Sequence, residues 1–293
     1  MLPYVLTLCA NFSFALGSVA YTRYSKIMGD LWMNKFKALV ALVGFSLTLV
    51  ITGEAQIPQT QTLYFLLLSG MLGLGIGDTF LLKSFVSIGP GRTLVLFGFQ
   101  PILLGTLGYF ILGQKIGEGK LIGILFCIAC VLVLSLEGKK NTGSWQWKGI
   151  LFAFVGMSLD AVGLTLTRHA FDSDPGLTVT QSNVIRIFGA FIVYFILSFR
   201  LKKKNFFSGF KSLPKKDKIF VTLASTLGTF ISLSLYLKAV QLGNLAAISG
   251  VSITGPVFSS IFECIHYNRL PSRYLVCALC LFSVGMFFVL GFY

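Results

Sequence analysis

The chain has 293 residues, of which 55% are hydrophobic and only 12% charged, with a mean hydropathy of +0.82. Soluble domains carry about 25% charged residues, so a water-soluble globule is excluded. The net charge of +14 does not point to nucleic acid, because the basic residues are scattered over short connections, as a membrane topology signal is.

Crossing the hydrocarbon takes roughly 20 apolar residues in a helix. Ten such segments are predicted, at about 2–22, 33–53, 62–85, 92–112, 119–137, 148–170, 179–200, 218–240, 244–266 and 271–292. They use nearly the whole chain. The first lacks a basic start and is polar at Asn11 and Ser13, so it reads as a retained helix and not as a signal peptide. Asn11 falls near mid-span and is a candidate substrate contact. The second carries Asn34 and Lys37, and Lys37 is expected to close the helix end against headgroups.

The third segment holds Asp78 at the end of Gly-Leu-Gly-Ile-Gly-Asp. Its glycines permit close helix approach or a loosened helix around a ligand. Lys83, five residues on, is expected to snorkel. The fourth has Gln100–Pro101 at its centre. A proline frees a carbonyl from the helix ladder, and freed backbone near the midplane is a recurrent way to hold substrate. Gln100 is therefore a candidate contact and Pro101 a candidate hinge.

Asp160 stands near the middle of the sixth segment. An ionisable side chain at that depth costs on the order of 3 kcal/mol on insertion scales, so it needs a reason to be there. It can carry a proton through a transport cycle, pair with a cationic substrate group, or be neutralised by a neighbouring helix, for instance by Arg186. In the seventh segment Arg186 lies seven residues inside and can reach an anionic substrate. The ninth contains Thr254, a candidate contact, then Gly255 and Pro256 as a second hinge. Glu263 follows Pro256 by seven residues and is a candidate gate with Arg269 or His266. Tyr21, Trp32 and Tyr236 read as aromatics of the membrane interface.

The two halves repeat. Leu72–Gly89 is LGLGIGDTFLLKSFVSIG and Leu227–Gly243 is LGTFISLSLYLKAVQLG; each precedes an apolar run with one proline, then a short basic link, at an offset of 154 to 155 residues. Asn34 and Lys37 align with Asn183 and Arg186 at the shorter offset of 149. The expected fold is all-α and integral to the membrane, with ten transmembrane helices as two inverted five-helix repeats, 1–137 and 148–293. The inversion follows because five spans are an odd number. Of the 24 Lys and Arg residues, 19 fall on the face that holds loops 1–2, 3–4, 5–6, 7–8 and 9–10, which places both termini outside the cytoplasm. Cys127-x-x-Cys130 and Cys277-x-x-Cys280 sit in apolar helices without acidic or imidazole neighbours in the same turn, and read as small hydrophobes. Neither metal nor cofactor is expected.

A span ending in Leu235–Ala239, with Leu81–Ser84 as its weaker partner, precedes a glycine turn. A helix with Gly255–Pro256 or Gln100–Pro101 at its centre follows, and a last helix begins at a basic link. In this order and duplication the chain resembles the drug/metabolite transporter superfamily, in its ten-helix EamA-type branch, over its whole length. The resemblance implies alternating access around a central cavity lined by both halves. It implies small substrates such as amino acids, nucleotide sugars, amines or drugs, and a bacterial inner membrane as the location. Many relatives carry Gly-Glu at the two basic links, where this chain has Gly113–Gln114 and Asn268–Arg269. Relatives are also usually described with both termini in the cytoplasm, opposite to what the charges indicate here.

The expected function is a secondary-active carrier of a small polar or amphipathic metabolite, an amino acid or similar, with proton coupling through Asp160 as an option. The expected partners are the solute and membrane lipid, in a monomer or weak homodimer. A nucleotide-sugar or organic-phosphate exchanger is the alternative, through Arg186. A membrane-embedded lipid-modifying enzyme is a third reading. It has little to build on, since the chain has two histidines, His169 and His266, and no His-Glu-x-x-His or Gly-x-Ser-x-Gly.

Overall fold

The computed structural model describes residues 1–53, 58–100, 102–103, 118–142, 146–201, 206–243, 248, 251, 254–268 and 270–290. Among these every regular element is helical. In chain order they are α1 (Leu2–Met28), α2 (Asp30–Thr52), α3 (Thr60–Ile88), α4 (Pro90–Phe97), α5 (Glu118–Thr142), α6 (Trp147–Ser173), α7 (Val179–Leu201), α8 (Lys215–Leu242), α9 (Thr254–His266) and α10 (Arg273–Leu290). A short helix, Phe206–Ser212, joins α7 to α8. Six of them, α1, α2, α3, α6, α7 and α8, are long and apolar enough to cross a membrane by length and composition. Several run beyond the apolar segments read from sequence. α1 continues to Met28, α2 starts at Asp30 and α8 at Lys215, because polar residues at headgroup depth extend a helix as readily as apolar ones.

Helix punctuation follows local chemistry. Pro3 and Pro90 stand in the first turns of α1 and α4, where a missing N–H leaves no bond unmade. Gly89 joins α3 to α4 at φ +88°, a conformation that glycine adopts at little cost.

The helices are inside-out relative to a soluble bundle. Val50, Ile51, Phe195 and Phe199 are exposed, whereas Asn34, Lys37, Asn183 and Arg186 are buried. α3 packs on α6 and α7, and α8 packs on α1 and α2. α1 meets α9 as α6 meets α4, and α2–α7, α4–α9 and α5–α10 pair across the chain. Shifting each helix number by five maps these pairings onto one another.

The two central helices share a further peculiarity. α3 widens into a π-helix over Gly70–Gly77, and α8 does so over Thr226–Ile231, at the matching place in the repeated sequence. Each widened stretch touches a neighbour backbone to backbone. A Cβ on Gly17 of α1 would lie 2.8 Å from Gly228 Cα, and one on Gly163 of α6 would lie 3.2 Å from Gly73 Cα. Only glycine at positions 17 and 163 lets the helices come so close. Widened turns of this kind recur at functional sites, and here both line the same cavity.

Candidate functional site

Between these helices lies a cavity of about 170 Å³, walled by α1, α2, α3, α4, α6, α7, α8 and α9. Most of its wall is apolar, but two acidic and two basic side chains reach it: Asp78 and Asp160, Lys37 and Arg186.

Asp78 begins the regular part of α3 just after the π-helical stretch, and its Oδ2 accepts a bond from Lys37 Nζ at 2.6 Å. Lys37 is 2% exposed and also lies over the Tyr21 ring, 5.3 Å from its centroid. The expectation that Lys37 anchors to headgroups is therefore overturned. With α2 beginning earlier than its apolar run, Lys37 stands two turns inside the helix and faces α3, not lipid.

Asp160 takes a different partner. Gln100 Nε2 donates to its Oδ2 at 3.2 Å, and among the described residues no cation comes within ion-pair reach of it. Its carboxylate lies against the glycine-rich face of α3, where a Cβ on Gly73 would be 3.5 Å from Asp160 Oδ1. Arg186 is thus not its ion-pair partner. Arg186 Nε donates instead to Ser69 Oγ at 3.0 Å, and Ser69 donates on to the Gly163 carbonyl at 2.6 Å.

Neutral groups complete the wall. Asn11 Nδ2 donates to the Val251 carbonyl and to Thr254 Oγ1, at 3.2 and 3.1 Å, tying α1 to the start of α9. Gly255 and Pro256 line the cavity directly, and Thr254 stands behind Asn11. Pro101 lies outside the described residues, as do Arg269, Gly113 and Gln114.

A model of the EamA-like transporter family matches residues 1–136 and again 147–291. The chain belongs to the EamA-like transporter family. It is accordingly a multi-pass integral membrane protein of a transporter family. A chloroplastic WAT1-related protein of Arabidopsis thaliana is 24% identical over 194 residues, which is 65% of this chain and 46% of the plant protein. The chain thus spans about half the length of that relative. One solved crystal structure of a protein superposes with a TM-score of 0.67 over 97% of this chain and 96% of the other, at 14% identity, so the two share a fold.

Within this EamA-like frame, the cavity gathers Asn11, Asp78, Gln100, Asp160, Arg186, Gly255 and Pro256. Glu263 is not among them. It is buried at the far end of α9, and its Oε2 accepts the Gly91 N–H at 3.0 Å, in the first turn of α4. A carboxylate there satisfies an otherwise orphaned helix donor and opposes the helix dipole.

Three aromatics assigned to the interface also sit elsewhere. Tyr21 is fully buried and shares a 2.6 Å bond with Thr229, Trp32 is buried with Nε1 on the Phe206 carbonyl, and Tyr236 lines the cavity. An amphipathic ring satisfies its polar tip equally well at headgroups or on a neighbouring helix. Only tertiary packing distinguishes the two. Sequence reasoning also missed Glu137, at the C-terminal end of α5. It takes both Arg92 Nε and Nη2, at 2.7 and 2.5 Å, and accepts from the Ser272 hydroxyl, joining α4, α5 and the start of α10. Its partners, Arg92 and Ser272, lie 45 and 135 residues away, so nothing in the local sequence marks it.

Proposed function

We propose that the protein is a secondary-active carrier that moves a small polar or amphipathic metabolite through the central cavity by alternating access. The observation that carries this reading is a charged, mid-depth cavity whose walls come from both halves of a chain with an apolar exterior. Two related halves can rock around such a site, opening it to one side at a time. The reading takes the chain as ten spans in two inverted repeats, 1–137 and 148–293. The exchange of helix pairings on shifting by five, and the matched π-helical stretches, support it.

In this reading Asp160 holds the positive end of a solute or a proton, Asn11 and Gln100 select by hydrogen bonding, and Gly255–Pro256 and Pro101 serve as hinges. Asp78 is a fixed charge neutralised by Lys37 and not a free acceptor. No catalytic role is assigned. The balance of basic residues supports termini outside the cytoplasm; the reading takes the protein to sit in a bacterial inner membrane as a monomer or weak homodimer.

The direct test is saturable counterflow in proteoliposomes. Accelerated entry of labelled solute into vesicles preloaded with the same unlabelled solute is expected for a carrier. Product formation from a lipid, or flux that never saturates across a broad metabolite panel, would sink the carrier.

A further inference from the structure

The two repeated Asn–cation motifs are not treated alike by the rest of the chain. Asn34 and Lys37 on α2 correspond to Asn183 and Arg186 on α7, and the three-residue spacing puts each pair on one helix face. All four side chains are buried, at 0 to 2% exposure. Lys37 has Asp78 at 2.6 Å. The alignment that pairs Gly73 with Gly228 and Lys83 with Lys238 pairs Asp78 with Leu233. Leu233 lines the same cavity as Arg186 and packs against a core cluster shared by α2, α3 and α7 that includes Phe45, Leu74 and Ile187. So the chain gives its first buried cation a carboxylate and offers the second a hydrocarbon.

The consequence is visible in the bonding. Among the described residues, Arg186 Nη1 and both amide atoms of Asn183 are buried with no hydrogen-bond partner. Asn34 Oδ1 is unpartnered too, so the difference between the twin sites lies in the cation. Asp160 and Asp78 line the cavity with Arg186, yet neither comes within ion-pair distance of it. A guanidinium N–H left buried without an acceptor is costly, and its fork matches the two oxygens of a carboxylate or of a phosphate. A phosphate brings up to two charges and calls for more than one free cation, whereas Lys37 is already neutralised.

We propose that Arg186 binds a carboxylate of the solute, and that Asp78 is the chain's own copy of that carboxylate at the twin position. The proposal rests on the carrier reading only for the word solute; binding itself is independent of transport. It makes Leu233 the position that keeps the second site open.

The test is thermal unfolding of the detergent-purified full chain with acetate and benzoate, against acetamide, benzamide and inorganic phosphate. A ligand of the folded state raises Tm as its concentration passes Kd. The carboxylates are expected to raise Tm and their amides are not. Arg186→Gln should weaken the carboxylate effect about tenfold or more. Leu233→Asp should abolish it by filling the site from within, and should melt no lower than Leu233→Asn, because Arg186 takes up the new carboxylate. No rise with either carboxylate, an equal rise with the amides, a larger one with phosphate, or a Leu233→Asp protein that melts well below Leu233→Asn would each overturn the proposal. Counterflow of some solute without any carboxylate effect sinks this proposal and leaves the carrier standing. Carboxylate binding without counterflow does the reverse.

Discussion

Lys37 Nζ and Asp78 Oδ2 sit 2.6 Å apart in the wall of the cavity, with the lysine 2% exposed. Removing one partner of such a pair strands the other charge in a low dielectric, while replacing both with apolar groups of similar volume is often neutral. Lys37→Met is therefore expected to lose about 3 kcal/mol of stability. The double variant Lys37→Met/Asp78→Leu should recover most of that loss. Denaturant unfolding in detergent measures both, and a double variant no more stable than the single one would mean that the pair is not the source of the cost.

The glycine crossings make an asymmetric expectation. A Cβ on Gly163 would meet the Ser69 carbonyl oxygen at 2.9 Å and Gly73 Cα at 3.2 Å, both backbone atoms that cannot turn aside. One on Gly73 would meet nothing closer than Asp160 Oδ1 at 3.5 Å, an ordinary contact. Gly163→Ala should thus cost about 1–3 kcal/mol through overpacking, and Gly73→Ala should stay within about 0.5 kcal/mol of the parent. Equal effects of the two would show that α3 and α6 do not cross where these glycines meet.

Glu263 gives a control for the cavity. It bonds the Gly91 N–H of α4 and lies outside the cavity lining, so its loss should act on stability and not on solute binding. Glu263→Ala is expected to cost about 1–3 kcal/mol, the penalty of leaving a buried donor without its acceptor. The solute Kd should remain within a factor of about two of the parent. A large change in Kd with unchanged stability would instead make Glu263 a gate.

The parts of this architecture that were legible from sequence are those written in local composition. An apolar run long enough to cross a bilayer declares itself, and so does a duplicated glycine pattern. A carboxylate such as Asp160 in the middle of an apolar run has few reasons to be there other than a polar interior. What was illegible depends on which way a residue faces at a helix end. Lys37, Tyr21 and Trp32 all stand near segment boundaries, where lipid headgroups and a packed neighbour offer the same chemistry. Glu263 stood close to His266 and Arg269 in sequence, but its partner, Gly91, is 172 residues away. The twin alignment of Lys37 with Arg186 ties Lys37 to the interior, but its carboxylate partner Asp78 aligns with Leu233, so the repeat alone does not reveal the pair.

Asp160 is where coupling can be tested. Its Oδ2 accepts from Gln100, and an asparagine presents an oxygen of the same size there, so Asp160→Asn should fold and keep that bond. What it removes is the ability to take and release a proton. If Asp160 exchanges a proton once per cycle, uptake driven by a pH gradient in proteoliposomes should fall at least about tenfold, a difference of about 1.4 kcal/mol. Solute counterflow, which needs no net proton movement, should fall much less. A variant whose uptake still follows the gradient would remove Asp160 from proton coupling and leave it as a fixed contact for the solute's positive end. In that event counterflow itself, and not its pH dependence, should be what Asp160→Asn impairs, because a neutral amide at this depth no longer offsets a cation brought into the cavity.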